Sequence, residues 1–139
     1  MKKINLEIRK VKNSDTLFLY KLLLERSPKV SISHREMPNY IQHTKFVRSK
    51  SYAFWYILFE NEEKIGSVYV TALNEIGISL IKGKKGKGLE EEVLKIIMEK
   101  HSRKRFFVNI SPKNKEFEII VKKYGFKMVQ KTYEFKTGS

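Results

Sequence analysis

The sequence predicts an α/β (α+β) fold, a seven-stranded mixed sheet with helices on both faces. Strand-like segments come in runs, single helix-like segments separate those runs, and no repeat, low-complexity tract or Pro/Gly/Ser-rich linker divides the 139 residues. The expected order is β-α-α-β-β-β-α-β-α-β-β in one domain, residues 1–139. A domain of this length buries about two thirds of its unfolded surface, so it needs neither disulfides nor a metal to hold it together.

The first strand is read from residues 4–11, where apolar and polar side chains alternate from Ile4 to Val11. Asn13, Ser14 and Asp15 offer N-caps, and the Leu-rich stretch from Thr16 to Arg26 reads as a helix that must end before Ser27-Pro28. After a polar loop, Lys29 to Glu36, Pro38 suits the start of a second helix with Met37, Tyr40, Ile41, Thr44 and Val47 on one face. Residues 53–60 and 65–73 are dense in aromatic and β-branched side chains around Asn61-Glu62-Glu63-Lys64, which is a hairpin pattern, and Ile76 to Ile81 makes a third consecutive strand.

A helix from about Gly86 to His101 keeps Leu89, Val93, Ile96 and Ile97 at helical spacing, with Glu90, Glu91 and Glu92 in the first turn where the helix dipole favours them. Phe106 to Ile110 is a short strand. From Asn114 the last helix places Phe117, Ile120, Val121 and Tyr124 on one stripe and stops at Gly125. Segments 126–129 and 132–135 complete the sheet as its sixth and seventh strands.

Composition excludes several functions. There is no cysteine, hence no disulfide scaffold, thiol nucleophile or cysteine metal site, and the well-separated histidines make no convincing metal site without it. The longest apolar run, Ala53 to Phe59, is seven residues, far below the roughly 20 that span a bilayer. The start MKKINLEIRK carries no apolar stretch of signal-peptide length, so the expected location is the cytoplasm and no membrane partner is expected. The net charge is +14, with 13 basic and 8 acidic side chains in residues 1–81 but 16 and 7 in residues 82–139. That field attracts anions, which include nucleic acid and phosphate-bearing small molecules, although a Lys-rich solvated surface explains it as well.

One loop carries specific chemistry. Lys82-Gly83-Lys84-Lys85-Gly86-Lys87-Gly88 lies between a predicted strand and a predicted helix, with three glycines and four lysines in seven residues. Glycines let backbone N–H groups turn towards a ligand, the helix start adds partial positive charge and the lysines add whole charges, so the segment suits an anion. It is neither the ATP/GTP loop, because Leu89-Glu90 follows where Lys-Ser/Thr is required, nor the dinucleotide fingerprint, because its spacing is Gly-x-x-Gly-x-Gly.

That reversed spacing, after three consecutive strands and before a helix, resembles the pyrophosphate loop of the Gcn5-related N-acetyltransferases (the GNAT family), usually Gln/Arg-x-x-Gly-x-Gly/Ala. A second motif agrees: Asn114, Phe117, Val121, Gly125 and Phe126 occupy the positions of the family's Asn-x-x-Ala/Ser, Tyr and Gly-Phe after the fifth strand. Gly83 stands where Gln or Arg is usual, and Val121 where many relatives have Tyr. The resemblance covers residues 6–135 and implies a mostly antiparallel seven-stranded sheet, acetyl-CoA as acetyl donor and direct transfer to an amine in a ternary complex. It further implies that Ile81, Lys82, Gly83, Lys84, Lys85, Gly86, Lys87, Gly88 and Leu89 hold the coenzyme A pyrophosphate, with Asn114 and Phe117 beside the pantetheine arm.

An ammonium acceptor must lose a proton, a task for a carboxylate, His or water chain. Glu75, at the start of the strand that precedes the loop, is the first candidate, and a plain turn acid beside Asn74 is the alternative. His34 and His43 flank the second-helix region, which in the family covers the acceptor pocket; with Tyr40 they are candidates for acceptor recognition, and His34 for proton transfer. Tyr124 could replace the Tyr absent at position 121, while Trp55, Tyr56 and Tyr69 read as sheet packing. The expected protein is therefore a monomeric or homodimeric N-acetyltransferase with a small-molecule amine acceptor. The segment from His34 to His43 and the C-terminal Glu-Phe look similar to members that acetylate nucleotide-linked amino sugars. Nucleic acid is not the expected partner; a catalytically degenerate module binding it through the basic face is the alternative.

Overall fold

The structure, a computed structural model, describes residues 5–26 and 37–138. Its elements are β1 (Leu6–Lys10), a 3-10 turn (Asn13–Asp15), α1 (Thr16–Glu25), α2 (Tyr40–Ser49), β2 (Phe54–Glu60), β3 (Glu63–Val70), β4 (Glu75–Leu80), α3 (Leu89–Lys100), β5 (Phe107–Val108) and α4 (Lys115–Lys123). The sheet runs in chain order, β1 to β5; the first four strands are antiparallel neighbours and β5 joins β4 in parallel. The β2–β3 hairpin turns through Asn61 and Glu62, both at positive φ (50° and 68°), the geometry of a two-residue turn that matches strand twist.

Strand alternation divides the core between two faces. Tyr56, Leu58, Val68 and Val70 face α3 and α4, meeting Leu89, Val93, Leu94, Ile97 and Val121. Ile57 faces the other way onto Leu19, Leu22 and Val47 of α1 and α2. Helices thus cover both faces, as the element order predicts. At Gly66 a side chain would run into the Ser79 carbonyl and Leu80 across the β3–β4 ladder, so only glycine fits this close approach.

One buried charge ties three segments together. Asp15 is fully buried and accepts from Arg9 (3.1 and 3.0 Å), from Lys64 Nζ (2.8 Å) and from the Lys12 amide (2.7 Å). Burial pushes its carboxyl pKa up, but the Arg9, Lys64 and Lys12 hydrogen bonds outweigh it and hold the group at about 2.

Two sequence expectations are corrected. Among the described residues there are five strands, not seven: residues 126–138 make no ladder hydrogen bonds. Period-two patterning is a property of a segment, whereas a strand needs a partner edge, and β5 offers only two residues before Ser111-Pro112. Second, α2 starts at Tyr40, after an Asn39 cap whose Oδ1 accepts from the Gln42 amide (2.8 Å) while Gln42 Oε1 accepts from the Asn39 amide (2.9 Å). The face it buries is His43 and Val47, leaving Ile41 68% exposed, because Tyr20 of α1 packs against Tyr40 and His43.

Candidate active site

β4 and β5 are joined at only two positions, Glu75 with Phe107 and Ile76 with Val108. Beyond them β4 runs on to Leu80 with no strand paired on that side among the described residues, and Asn109 and the N-terminus of α4 face the gap across from it. The result is a wedge-shaped cleft lined by the β4 residues Ile76 to Leu80, by Tyr69, Asn109, Asn114 and Phe117, and by Lys85 and Glu90, with Leu22 and Arg26 closing it from α1. The unpaired β4 backbone is a row of hydrogen-bonding groups that an extended ligand can complete.

At the narrow end Glu75 is held rather than free. Its Oε1 accepts from the Thr71 hydroxyl (3.0 Å) and its Oε2 from Asn109 Nδ2 (2.8 Å), so the carboxylate sits one residue behind the lining. Tyr69 lies opposite Gly77 in the β3–β4 register, and its ring fills the space that a side chain at Gly77 would need. The ring stacks on Tyr52 (4.0 Å between centroids, 5° between planes), and burial raises the phenol pKa, with Arg26 pulling it down less strongly. Tyr69 is therefore a protonated phenol within the cleft at neutral pH.

At the wide end the loop turns through Gly83, Gly86 and Gly88, at φ of 88°, 74° and 82°. Gly88 is the N-cap of α3 in a left-handed conformation that other residues adopt at a cost of about 1–2 kcal/mol. Apart from its own residue and chain neighbours, no heavy atom of the described residues lies within 4 Å of a Cβ placed at any of the three, so the loop surface leaves room for a ligand. Lys82, Lys85 and Lys87 are exposed, whereas Lys84 donates to Glu60 (2.6 Å), which raises the ammonium pKa and keeps the side chain occupied. Leu89 is buried and anchors α3, and Ile81 packs between the two cores. Asn114 caps α4 by accepting from the Phe117 amide (3.3 Å), and both residues line the cleft. Two carboxylates oppose an anion: Glu116 lines the cleft, and so does Glu90, whose Oε1 is buried and without a hydrogen-bond partner among the described residues.

The cleft thus gathers Lys85, Asn114 and Phe117, with Glu75 reaching it through Asn109. It does not gather the other predicted residues. Tyr124 ends α4, 40% exposed and outside the lining. Tyr40 and His43 pack on Tyr20 instead (5.4 and 5.3 Å between centroids); His43 is buried, its Nε2 has no partner among the described residues, and burial lowers its pKa. His34 lies outside the described residues. Sequence reasoning missed Tyr69, read as packing, together with Arg26, Asn109 and Glu90. For Tyr69 the usable signal is the pairing of an aromatic residue with Gly77 across adjacent strands.

No family model matches the chain, and no curated protein is significantly similar to it. Solved structures are similar. A domain from Methanocaldococcus jannaschii superposes with a TM-score of 0.80 at 22% identity, covering 95% of this chain and 94% of that one. RimL, a ribosomal α-N-protein acetyltransferase in complex with coenzyme A, gives 0.68 at 19% identity over 87% of this chain and 82% of its own. The spermidine/spermine N-acetyltransferase SpeG from Vibrio cholerae gives 0.69 at 15% identity over 88% and 79%. The fold is that of the GNAT N-acetyltransferases.

Proposed function

We propose that this protein is an acetyl-CoA-dependent N-acetyltransferase that acts on a primary amine by direct transfer in a ternary complex. The observation that carries the reading is the splayed β4–β5 cleft with the open Lys/Gly loop and the N-terminus of α3 at its wide end. Coenzyme A chemistry fits these residues. The amides around Gly86 and Gly88, with Lys85, suit a pyrophosphate. The unpaired edge of β4 and the amide of Asn114 suit an arm of alternating amides, and a bound acetyl-CoA supplies an acetyl thioester. Glu75 is the base in this reading, receiving the acceptor's proton directly or through water, and Asn109 orients its carboxylate. Tyr69, rather than Tyr124, is the hydroxyl that supplies a proton to a departing thiolate, because it lines the cleft.

The acceptor in this reading carries negative charge as well as its amine, and a nucleotide-linked amino sugar meets that description. Arg26 at the cleft and the +14 chain charge support it, since both favour a phosphate-bearing acceptor over a polycation. His34, whose role rests on the sequence alone, would contact that acceptor.

Calorimetric titration with acetyl-CoA at about physiological salt, where exposed charges are screened beyond roughly 8 Å, tests the first step. Saturable one-to-one binding is expected, followed by thiol release when amino-sugar nucleotides are added. Absence of binding sinks the reading. Glu90 in the cleft and Lys84 held by Glu60 favour a second one, a noncatalytic module binding nucleic acid through the basic face; its mark would be affinity that collapses between about 50 and 200 mM salt.

A further inference from the structure

Strand alternation decides what surrounds the proposed base. In β4, Ile76, Ile78 and Leu80 pack on the α3–α4 core, so Glu75 and Gly77 face the opposite side, where Tyr69 lies. In and around β5, Phe106, Val108 and Ile110 pack on the same core, which turns Phe107 and Asn109 to the side of Glu75. The hydrogen bond from Asn109 to Glu75 (2.8 Å) agrees with that placement. Phe107 is the strand partner of Glu75, and neighbouring strands lie about 4.8 Å apart.

The ring of Phe107 carries a cation. The Arg105 guanidinium lies 4.7 Å from its centroid, and Arg105 is exposed. Arg105 forms no ion pair among the described residues, and Glu75 is not its counter-ion, since Thr71 and Asn109 hold the two carboxylate oxygens. A guanidinium laid on a ring has its plane fixed and keeps N–H donors along its edge, a fork that matches two oxygens of a phosphate. The surrounding sequence favours an anion, because residues 100–113 hold five Lys or Arg and no acid. Arg103 differs. It lies over Phe54 (5.5 Å), which packs on the α3–α4 core, away from Glu75.

We propose that Arg105, seated on Phe107, binds a phosphate group carried by the amine acceptor. The inference rests on the transferase reading above and names what the acceptor must bear at this end of the cleft: a phosphate close to its amine, as in an amino-sugar phosphate. With the phosphate on Arg105, the amine turns to Glu75 on the neighbouring strand. Arg26, which lines the cleft from α1, is the rival site for the same group. A polyamine has nothing to give Arg105 and is repelled by it.

The test is calorimetric titration of the full chain with glucosamine 1-phosphate and with glucosamine, in saturating coenzyme A so that the loop is filled. The parent is expected to bind the phosphorylated sugar about tenfold or more tightly than glucosamine, the gain that one charge-assisted hydrogen bond supplies. Arg105→Ala should erase that preference, Arg105→Lys should restore part of it, and Arg103→Ala should retain it. Unchanged coenzyme A affinity shows that each variant is folded. An equal preference in Arg105→Ala and the parent overturns the inference, as does a preference that Arg26→Ala alone abolishes. No preference in the parent overturns it too. In those outcomes coenzyme A still binds and the transferase reading stands, whereas failure of coenzyme A to bind sinks that reading and the inference with it.

Discussion

The ring of Tyr69 occupies the volume that a side chain at Gly77 would require. The pair joins β3 to the exposed stretch of β4 and holds a phenol over the cleft through its stack on Tyr52. A methyl group in Gly77→Ala must displace that ring, and Tyr69→Phe keeps the ring while removing the hydroxyl. With Tyr69 as proton donor, Tyr69→Phe is expected to lower kcat by about a hundredfold with little change in acetyl-CoA affinity. Steady-state kinetics paired with calorimetry reads both, and an unchanged kcat removes Tyr69 from the chemistry.

Glu90 places a carboxylate where the cleft meets the N-terminus of α3. In the proposed reading its negative charge opposes the pyrophosphate there. Glu90→Gln is expected to tighten acetyl-CoA binding roughly two- to fivefold, the equivalent of the 0.3–1 kcal/mol that one charge is worth at a helix end. Weaker binding in the variant would mean that Glu90 contacts the ligand favourably.

Asp15 governs acid stability. Its folded pKa of about 2 lies below the ordinary 3.8, so its contribution is complete above pH 4 and is lost as the pH falls towards 2. Asp15→Asn strands Arg9 and Lys64 without their shared anion and should cost roughly 3 kcal/mol at neutral pH. Denaturant melts at pH 7 and pH 3 should show the difference between variant and parent shrinking at the lower pH.

His43 acts in a second window. Burial lowers its folded pKa below 6.5, so the unfolded chain binds the proton more readily, and stability falls as the pH drops below 6.5. His101, with its pKa lowered by burial and by Lys100 and Arg103, adds to the same slope. His43→Leu removes one buried titrating group, whose Nε2 has no partner among the described residues, and should flatten melting temperature against pH between about 6.5 and 5. An unchanged slope would remove His43 from its sources.

Much of the fold was legible because local patterns are strong here. The Asn61 turn, the Gly125 helix end and the Leu89–Ile97 stripe act within one or two turns of chain, and each observed element lies within a few residues of its predicted span. Position 43 was misread because Tyr20, far away in sequence, decides which face of α2 is buried. The last two strands were misread because alternation cannot supply an edge to pair with. At the cleft the loop was legible from composition, and Asn114, which lines it, was singled out only by the resemblance to the family's motif. Tyr69, Arg26 and Asn109 were not, since they meet only through the register of β3 with β4 and the approach of α1.

Strands β2, β3 and β4 follow one another through short turns, so their contacts are local and form early in folding. β5 arrives only after a long crossover through α3 and is fastened at two positions. The joint that completes the cleft is thus held by fewer ladder positions than any other pair of neighbouring strands in the sheet and is the easiest to open. Local opening of the sheet concentrates there, and the width offered to a ligand can change while the meander behind it stays intact.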